Sequence, residues 1–181
     1  MKKNKIFVAC DSTNILKIKK IIKDTQNPKL KIGYKFGLEF LNSRYGRNFL
    51  SKIKKIIKET YNTKLKIGYK FGLEFLNSKN GRKFISKLKK KVIFADLKIH
   101  DIPNTCSSTV KAIKDIKVDY LTIHISSGLT ALKAAKKTAG KTKLVGVTVL
   151  ASLDNKALRE IGFNKEVKKL VYHHAKLANL A

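Results

Sequence analysis

The sequence predicts an α/β fold, a (β/α) barrel of the TIM type made of parallel strands, incomplete and with one βα unit duplicated. Three observations lead there. Short strand-like apolar runs alternate along the chain with longer stretches of helical periodicity, the pattern of βα units around a parallel sheet. Polar residues stand where the apolar runs stop, namely Asp11, Lys31 or Lys66, Asp96 with Lys98, His124 and Ser152, and a barrel of this type carries its chemistry at the C-terminal ends of its strands. No GxGxxG follows the first strand, which argues against the alternative of an open doubly wound sheet with a dinucleotide crevice.

Taken in order, Lys5 to Ala9 (KIFVA) predicts a buried strand. Residues Lys17 to Ser51 then recur almost unchanged as Lys52 to Ser86, so that one unit stands twice in tandem, with mild exchanges such as Asp24 for Glu59 and Leu50 for Ile85. Two copies are too few for a solenoid. Within the unit, Ile18, Ile21 and Ile22 recur at helical spacing among lysines. A turn at Asn27-Pro28 and a strand-like LKIGYKF come next, and Asn42 and Ser43 offer N-cap chemistry to a helix through Phe49, Ile53, Ile56 and Ile57. Beyond the repeat the pattern predicts strand Lys91 to Leu97, helix Asn104 to Ile116, strand Asp119 to His124, helix Leu129 to Ala139, strand Lys143 to Leu150 and a closing helix Lys165 to Asn179. The whole chain, 1–181, reads as a single partial barrel domain.

Charge is the strongest compositional signal: Lys+Arg 41 against Asp+Glu 12 gives a formal +29. A polyanion partner is therefore a hypothesis to weigh. The basic residues are nearly all Lys, with Arg only at 44, 47, 82 and 159, and they are spread over every expected helix. Nucleic-acid sites favour the arginine fork and clustered aromatic platforms, neither of which the sequence offers, so solvated Lys-rich helix faces account better for the charge. Cys10 and Cys106 form no CxxC pair, and no His cluster adjoins them. Free thiols are expected, with neither a disulfide framework nor a zinc site. No stretch is apolar for long enough to span a membrane, and Ile6 to Cys10 is too short for a secretory core, which leaves a cytoplasmic protein as the expectation.

Asp96 and Lys98 stand two apart at a strand end and so share a face, with Asp101 in the loop beyond. From the spacing alone, an acid–base array and a surface ion pair read equally well. The longer string decides between them. DLKIHDIPNT leading into a helix, with VACD at the first strand, KIG at the second and TVLASL later, closely resembles the orotidine 5'-phosphate decarboxylase family in order and separation. The related sugar-phosphate decarboxylases share DxKxxD but not the IPNT extension.

The resemblance implies a barrel enzyme that uses neither metal nor organic cofactor and acts on a nucleotide, orotidine 5'-phosphate (OMP), in pyrimidine biosynthesis. It implies that Asp96 lies against the substrate carboxylate and that Lys98 delivers a proton to the carbon that loses carbon dioxide. The KIG lysine, Lys31 or Lys66, would complete an alternating array with Asp96, Lys98 and Asp101. Asp11 would hold a ribose hydroxyl, Ser152 would meet the pyrimidine edge, and Asp101, Ile102 and Thr105 would reach into a neighbouring subunit's site, implying a homodimer. His100 reads as a loop residue or one behind the site, His124 as either cavity-facing or core, His173 and His174 as solvated or packing, and Lys35 and Lys70 as helix or loop surface.

Two departures qualify these expectations. The KIG strand occurs twice, so two lysines compete for one role, with Lys66 slightly favoured for its uninterrupted run into the strand of Asp96. The resemblance ends at Ala181, in the helix after the fifth family strand, so the phosphate-gripping Gln and Arg loops have no counterpart. The sequence thus also admits a fragment or rearranged gene product, an inactive remnant or interaction protein, or more remotely a general polyanion binder.

Overall fold

The structure is a computed structural model that describes residues 5–10, 14–25, 31–36, 68–77, 81–86 and 92–181. The chain falls into two compact units, Met1–Phe94 and Ala95–Ala181.

In the first unit, β1 (Lys5–Cys10) and β2 (Lys31–Phe36) pair in parallel, Lys5 opposite Lys31 and Cys10 opposite Phe36. Parallel neighbours need a crossover, and α1 (Ile15–Thr25) lies between them in the chain. Asn14 starts this helix, its Oδ1 accepting the N–H groups of Leu16 at 2.9 Å and Lys17 at 3.2 Å, two of the donors a helix start leaves open. Ile18 and Ile22, one turn apart, are buried, whereas Lys19, Lys20 and Lys23 stay exposed. At its other end the Tyr34 hydroxyl donates to the Ile22 carbonyl at 3.2 Å, fastening α1 to β2.

The second copy of the repeat supplies β3 (Gly68–Gly72), α2 (Leu73–Asn77) and α3 (Gly81–Ser86). GYKF is therefore strand in both copies, an agreement expected when the same apolar alternation meets a similar setting. Lys35 and Lys70, expected on a helix or loop surface, thus lie in strands instead. Phe71 is buried and stacks on Phe75 at 4.9 Å, and Leu76 and Ile85 complete this small core. The helix predicted through Phe49, Ile53, Ile56 and Ile57 lies outside the described residues, as do Asp11 and Lys66.

The second unit begins within β4 (Val92–Ile99), which lies beside β5 (Tyr120–His124), and β5 lies beside β6 (Lys143–Val147). β5 and β6 run parallel, from Tyr120 opposite Lys143 to His124 opposite Val147. Tyr120 to Ile123 are all buried, the both-faces burial of a parallel strand covered by helices. After β4 comes α4 (Pro103–Ala112), with Pro at its start where its missing N–H costs nothing. A 3-10 turn (Lys114–Ile116) follows, so the helix predicted to Ile116 breaks at Ile113. α5 (Leu129–Ala139) falls where its periodicity places it, buries Ala131, Leu132, Ala135 and Ala139, and packs against α4.

β6 ends at Val147, short of the predicted Leu150. α6 (Asn155–Glu160), which the periodicity does not reveal, starts at Asp154, whose carboxylate accepts the Ala157 N–H at 2.8 Å. α7 (Val167–Asn179) buries Leu170 and His174 one turn apart. Gly146 is glycine for a steric reason: a Cβ there would collide with the buried Ile125 side chain.

Leu121 is fully buried in β5, so Leu121→Ala should lower unfolding stability by about 2–5 kcal/mol through lost transfer energy and an unfilled cavity. Leu16→Ala, at a side chain 75% exposed, should stay within about 0.5 kcal/mol of the parent in the same urea titration.

Candidate active site

The C-terminal ends of β4 and β5 carry the polar groups that matter. A strand turns alternate side chains to one side, so Asp96 and Lys98 share a face of β4, and Thr122 and His124 share one of β5. Asp96 is 8% exposed and its Oδ2 pairs with Lys98 Nζ at 3.0 Å, while the Lys98 side chain remains 46% exposed. Asp96 Oδ1 accepts the Thr122 hydroxyl at 3.0 Å, and Thr122 Oγ1 in turn accepts the Lys98 backbone N–H at 2.8 Å. Lys98 has φ +48°, a left-handed conformation that costs a side-chain-bearing residue about 1–2 kcal/mol. A buried carboxylate and a strained residue side by side mark a place the surrounding fold holds against their own preferences.

Histidines border this pair. The rings of His100 and His124 lie 5.1 Å apart, and the Ser126 hydroxyl is 3.3 Å from His100 Nε2. Burial first, and then the positive charges of His100, Lys98 and His174, push the His124 pKa below its ordinary value. His174 is buried on α7 with Nδ1 at 2.6 Å from the Thr148 carbonyl. A carbonyl only accepts, so Nδ1 carries the proton, and α7 is tied to the end of β6. His174 is accordingly a packing residue, and His173 is exposed.

The loop after β4 is held from within. Asp101 Oδ1 accepts the Ile102 N–H at 2.7 Å, and the buried Cys106 thiol donates to the Asp101 carbonyl at 3.1 Å. Burial pushes the Cys106 thiol up, which keeps it protonated and suited to donating. Ile102, at 64% exposure, precedes α4, Thr105 lies half-buried on that helix, and Ser152 is exposed in the turn between β6 and α6.

Of the residues singled out from sequence, Asp96 and Lys98 are thus brought into contact, while the Asp101 carboxylate is bonded locally and makes no ion pair with Lys98. Lys31 opens β2 rather than ending it, because the ladder with β1 begins at the Lys5–Lys31 pair. Sequence reasoning passed over Thr122, although it is the sole aliphatic hydroxyl in the apolar run YLTI and faces the same way as His124. Among the described residues no group of three or more His, Cys, Asp or Glu side chains could hold a metal, and no helix is long and apolar enough to cross a membrane.

The His124 environment has a pH consequence. Well above pH 6.5, its ordinary pKa, the residue is neutral folded and unfolded and contributes nothing to pH dependence. As pH falls below 6.5 the unfolded chain takes up a proton that folded His124 resists, so stability falls until the lowered pKa is passed. Urea titrations from pH 7.5 to 5 should show the parent losing stability relative to His124→Gln as the pH drops; a constant difference would contradict this.

Comparison with known proteins bears on the site directly. The model of the orotidine 5'-phosphate decarboxylase / HUMPS family matches residues 4–181. The chain is 52% identical over 87 residues to orotidine 5'-phosphate decarboxylase of Wolbachia sp. subsp. Brugia malayi (strain TRS), an overlap of 47% of this chain and 39% of that one. It is 48% identical over 88 residues to that of Ehrlichia chaffeensis, covering 48% and 38%. These overlaps span well under half the length of the relatives they match. Among solved structures, orotidine 5'-phosphate decarboxylase from Lactobacillus acidophilus superposes with a TM-score of 0.59 at 27% identity, over 96% of this chain and 66% of that one. An uncharacterized conserved protein from Geobacillus kaustophilus, at TM-score 0.58 and 24% identity over 71% and 63%, shares the fold. With its strand-end Asp96–Lys98 pair, its parallel α/β architecture and a family match along nearly its whole length, the chain belongs to the orotidine 5'-phosphate decarboxylase / HUMPS family.

Proposed function

We propose that this chain is a cofactor-independent carboxy-lyase that converts orotidine 5'-phosphate to UMP and carbon dioxide in pyrimidine biosynthesis. The observation that carries the reading is the ion pair between buried Asp96 and half-exposed Lys98 at the end of β4, in a chain of this family. When the carbon–carboxylate bond of the pyrimidine breaks, the electron pair stays on a ring carbon with no conjugated sink. An ammonium beside that carbon stabilises the growing charge and then gives it a proton. Lys98 can do both, since its Nζ is anchored by Asp96 yet reachable by a ligand. The fixed negative charge of Asp96 repels the substrate carboxylate and is relieved as carbon dioxide leaves.

The supporting roles follow the family motif. Lys31 or Lys66 extends the charge array with Asp101, Asp11 binds the ribose, and Ser152 binds the pyrimidine edge. Asp101, Ile102 and Thr105 contact a second subunit's site in a cytoplasmic homodimer. The 64% exposure of Ile102 suits that last role, because an apolar side chain so placed gains by being covered.

The test is direct. Purified protein should release carbon dioxide from OMP, and Lys98→Ala should reduce kcat by a factor of about a hundred or more, the scale of a lost proton donor. Folded but inert wild-type protein would refute the reading. Either Lys31→Ala or Lys66→Ala should be impaired while the other is not, and equal activity of the two would refute a unique KIG lysine.

A further inference from the structure

We infer that Thr122 is a positioning residue that sets the geometry between Asp96 and Lys98 through a single hydroxyl, an inference that rests on the proposed decarboxylation. Thr122 is 5% exposed on β5, and its Oγ1 lies between two parts of β4 that are far from it in sequence. The direction of each bond is forced. The Lys98 backbone N–H can only donate, so the hydroxyl accepts there, and its one proton is left for Asp96 Oδ1.

Asp96 therefore receives a hydroxyl on one oxygen and the Lys98 ammonium on the other, each at 3.0 Å, which fixes the plane of the carboxylate. The same hydroxyl grips the backbone of Lys98 at 2.8 Å, at a residue whose φ of +48° a lysine does not choose unaided. One side chain thus holds the carboxylate and the main chain from which the proton-delivering ammonium extends. Proton transfer is sensitive to placement at the ångström scale, so a loosened clamp slows the reaction with little effect on how tightly the substrate is held. A threonine that merely satisfied buried partners would affect stability but leave the rate per folded molecule unchanged.

Thr122→Val keeps the shape and removes the hydroxyl, and Thr122→Ser keeps the hydroxyl. Two readouts separate this inference from the reading beneath it. Steady-state kinetics with OMP should show kcat for Thr122→Val down about 10- to 100-fold with KM little changed, and Thr122→Ser close to wild type. Hydrogen exchange followed by NMR should show the Lys98 amide losing protection in Thr122→Val and keeping it in Thr122→Ser. Wild-type kcat in Thr122→Val, or a serine variant as slow as the valine one, would overturn the inference. Were the wild-type chain inert, the decarboxylase reading alone would fall: amide exchange would still decide the clamp, with loss of protection in Thr122→Val upholding it and retained protection overturning it.

Discussion

Asp96 is a carboxylate withdrawn almost wholly from water, and much of the second unit is arranged around that fact. An isolated buried charge costs several kcal/mol or more, and proteins keep one only where partners meet it. Two of its partners come from the same strand, through the Lys98 ammonium, and from the neighbouring strand, through the Thr122 hydroxyl. Both require β4 and β5 to hold their relative positions. The apolar residues Leu121 and Ile123 on either side of Thr122, both buried, supply that rigidity. Such a pair is weak evidence of stabilisation, since well-packed apolar residues often serve stability equally well. Together with the left-handed Lys98, it marks a strand end shaped for chemistry at some cost in stability.

The site is tied down beyond the pair as well. His174 links α7 to the end of β6 through the Thr148 carbonyl, and Gly146 lets Ile125, in the turn after β5, close against β6. The Cys106 thiol holds the Asp101 carbonyl and so fixes the start of the loop leading to Ile102 and α4. These are small contacts, yet each joins a loop carrying a functional candidate to a regular element. That matches the general division in α/β folds between a rigid scaffold and the strand-end loops that act on ligands.

How much of this was legible in the sequence depends on the kind of signal. Period-two and period-3.6 patterns reveal burial, which is why α5 was found at its observed bounds and β1, β2, β4 and β5 within a few residues. They do not reveal short elements set by capping. α6 depends on the Asp154 carboxylate, and the break at Ile113 comes where α4 gives way to a 3-10 turn. The shared face of Asp96 and Lys98 followed from spacing, because both lie on one strand. Thr122 joins them across strands, 24 and 26 residues away, and no local pattern encodes that meeting. The repeat shows the converse limit: the same GYKF forms strand in both copies, so pattern alone does not choose between Lys31 and Lys66.

Asp96 and Lys98 act as one coupled unit. A double-mutant cycle on unfolding free energy, with Asp96→Asn, Lys98→Met and the double variant, tests it most directly. Coupled neighbours show interaction energies of about 0.5–3 kcal/mol. A value towards the lower end of that range is expected, because water screens a lysine side chain that is 46% exposed. Strictly additive effects of the two substitutions would show that the buried carboxylate is held without the lysine, and would contradict it.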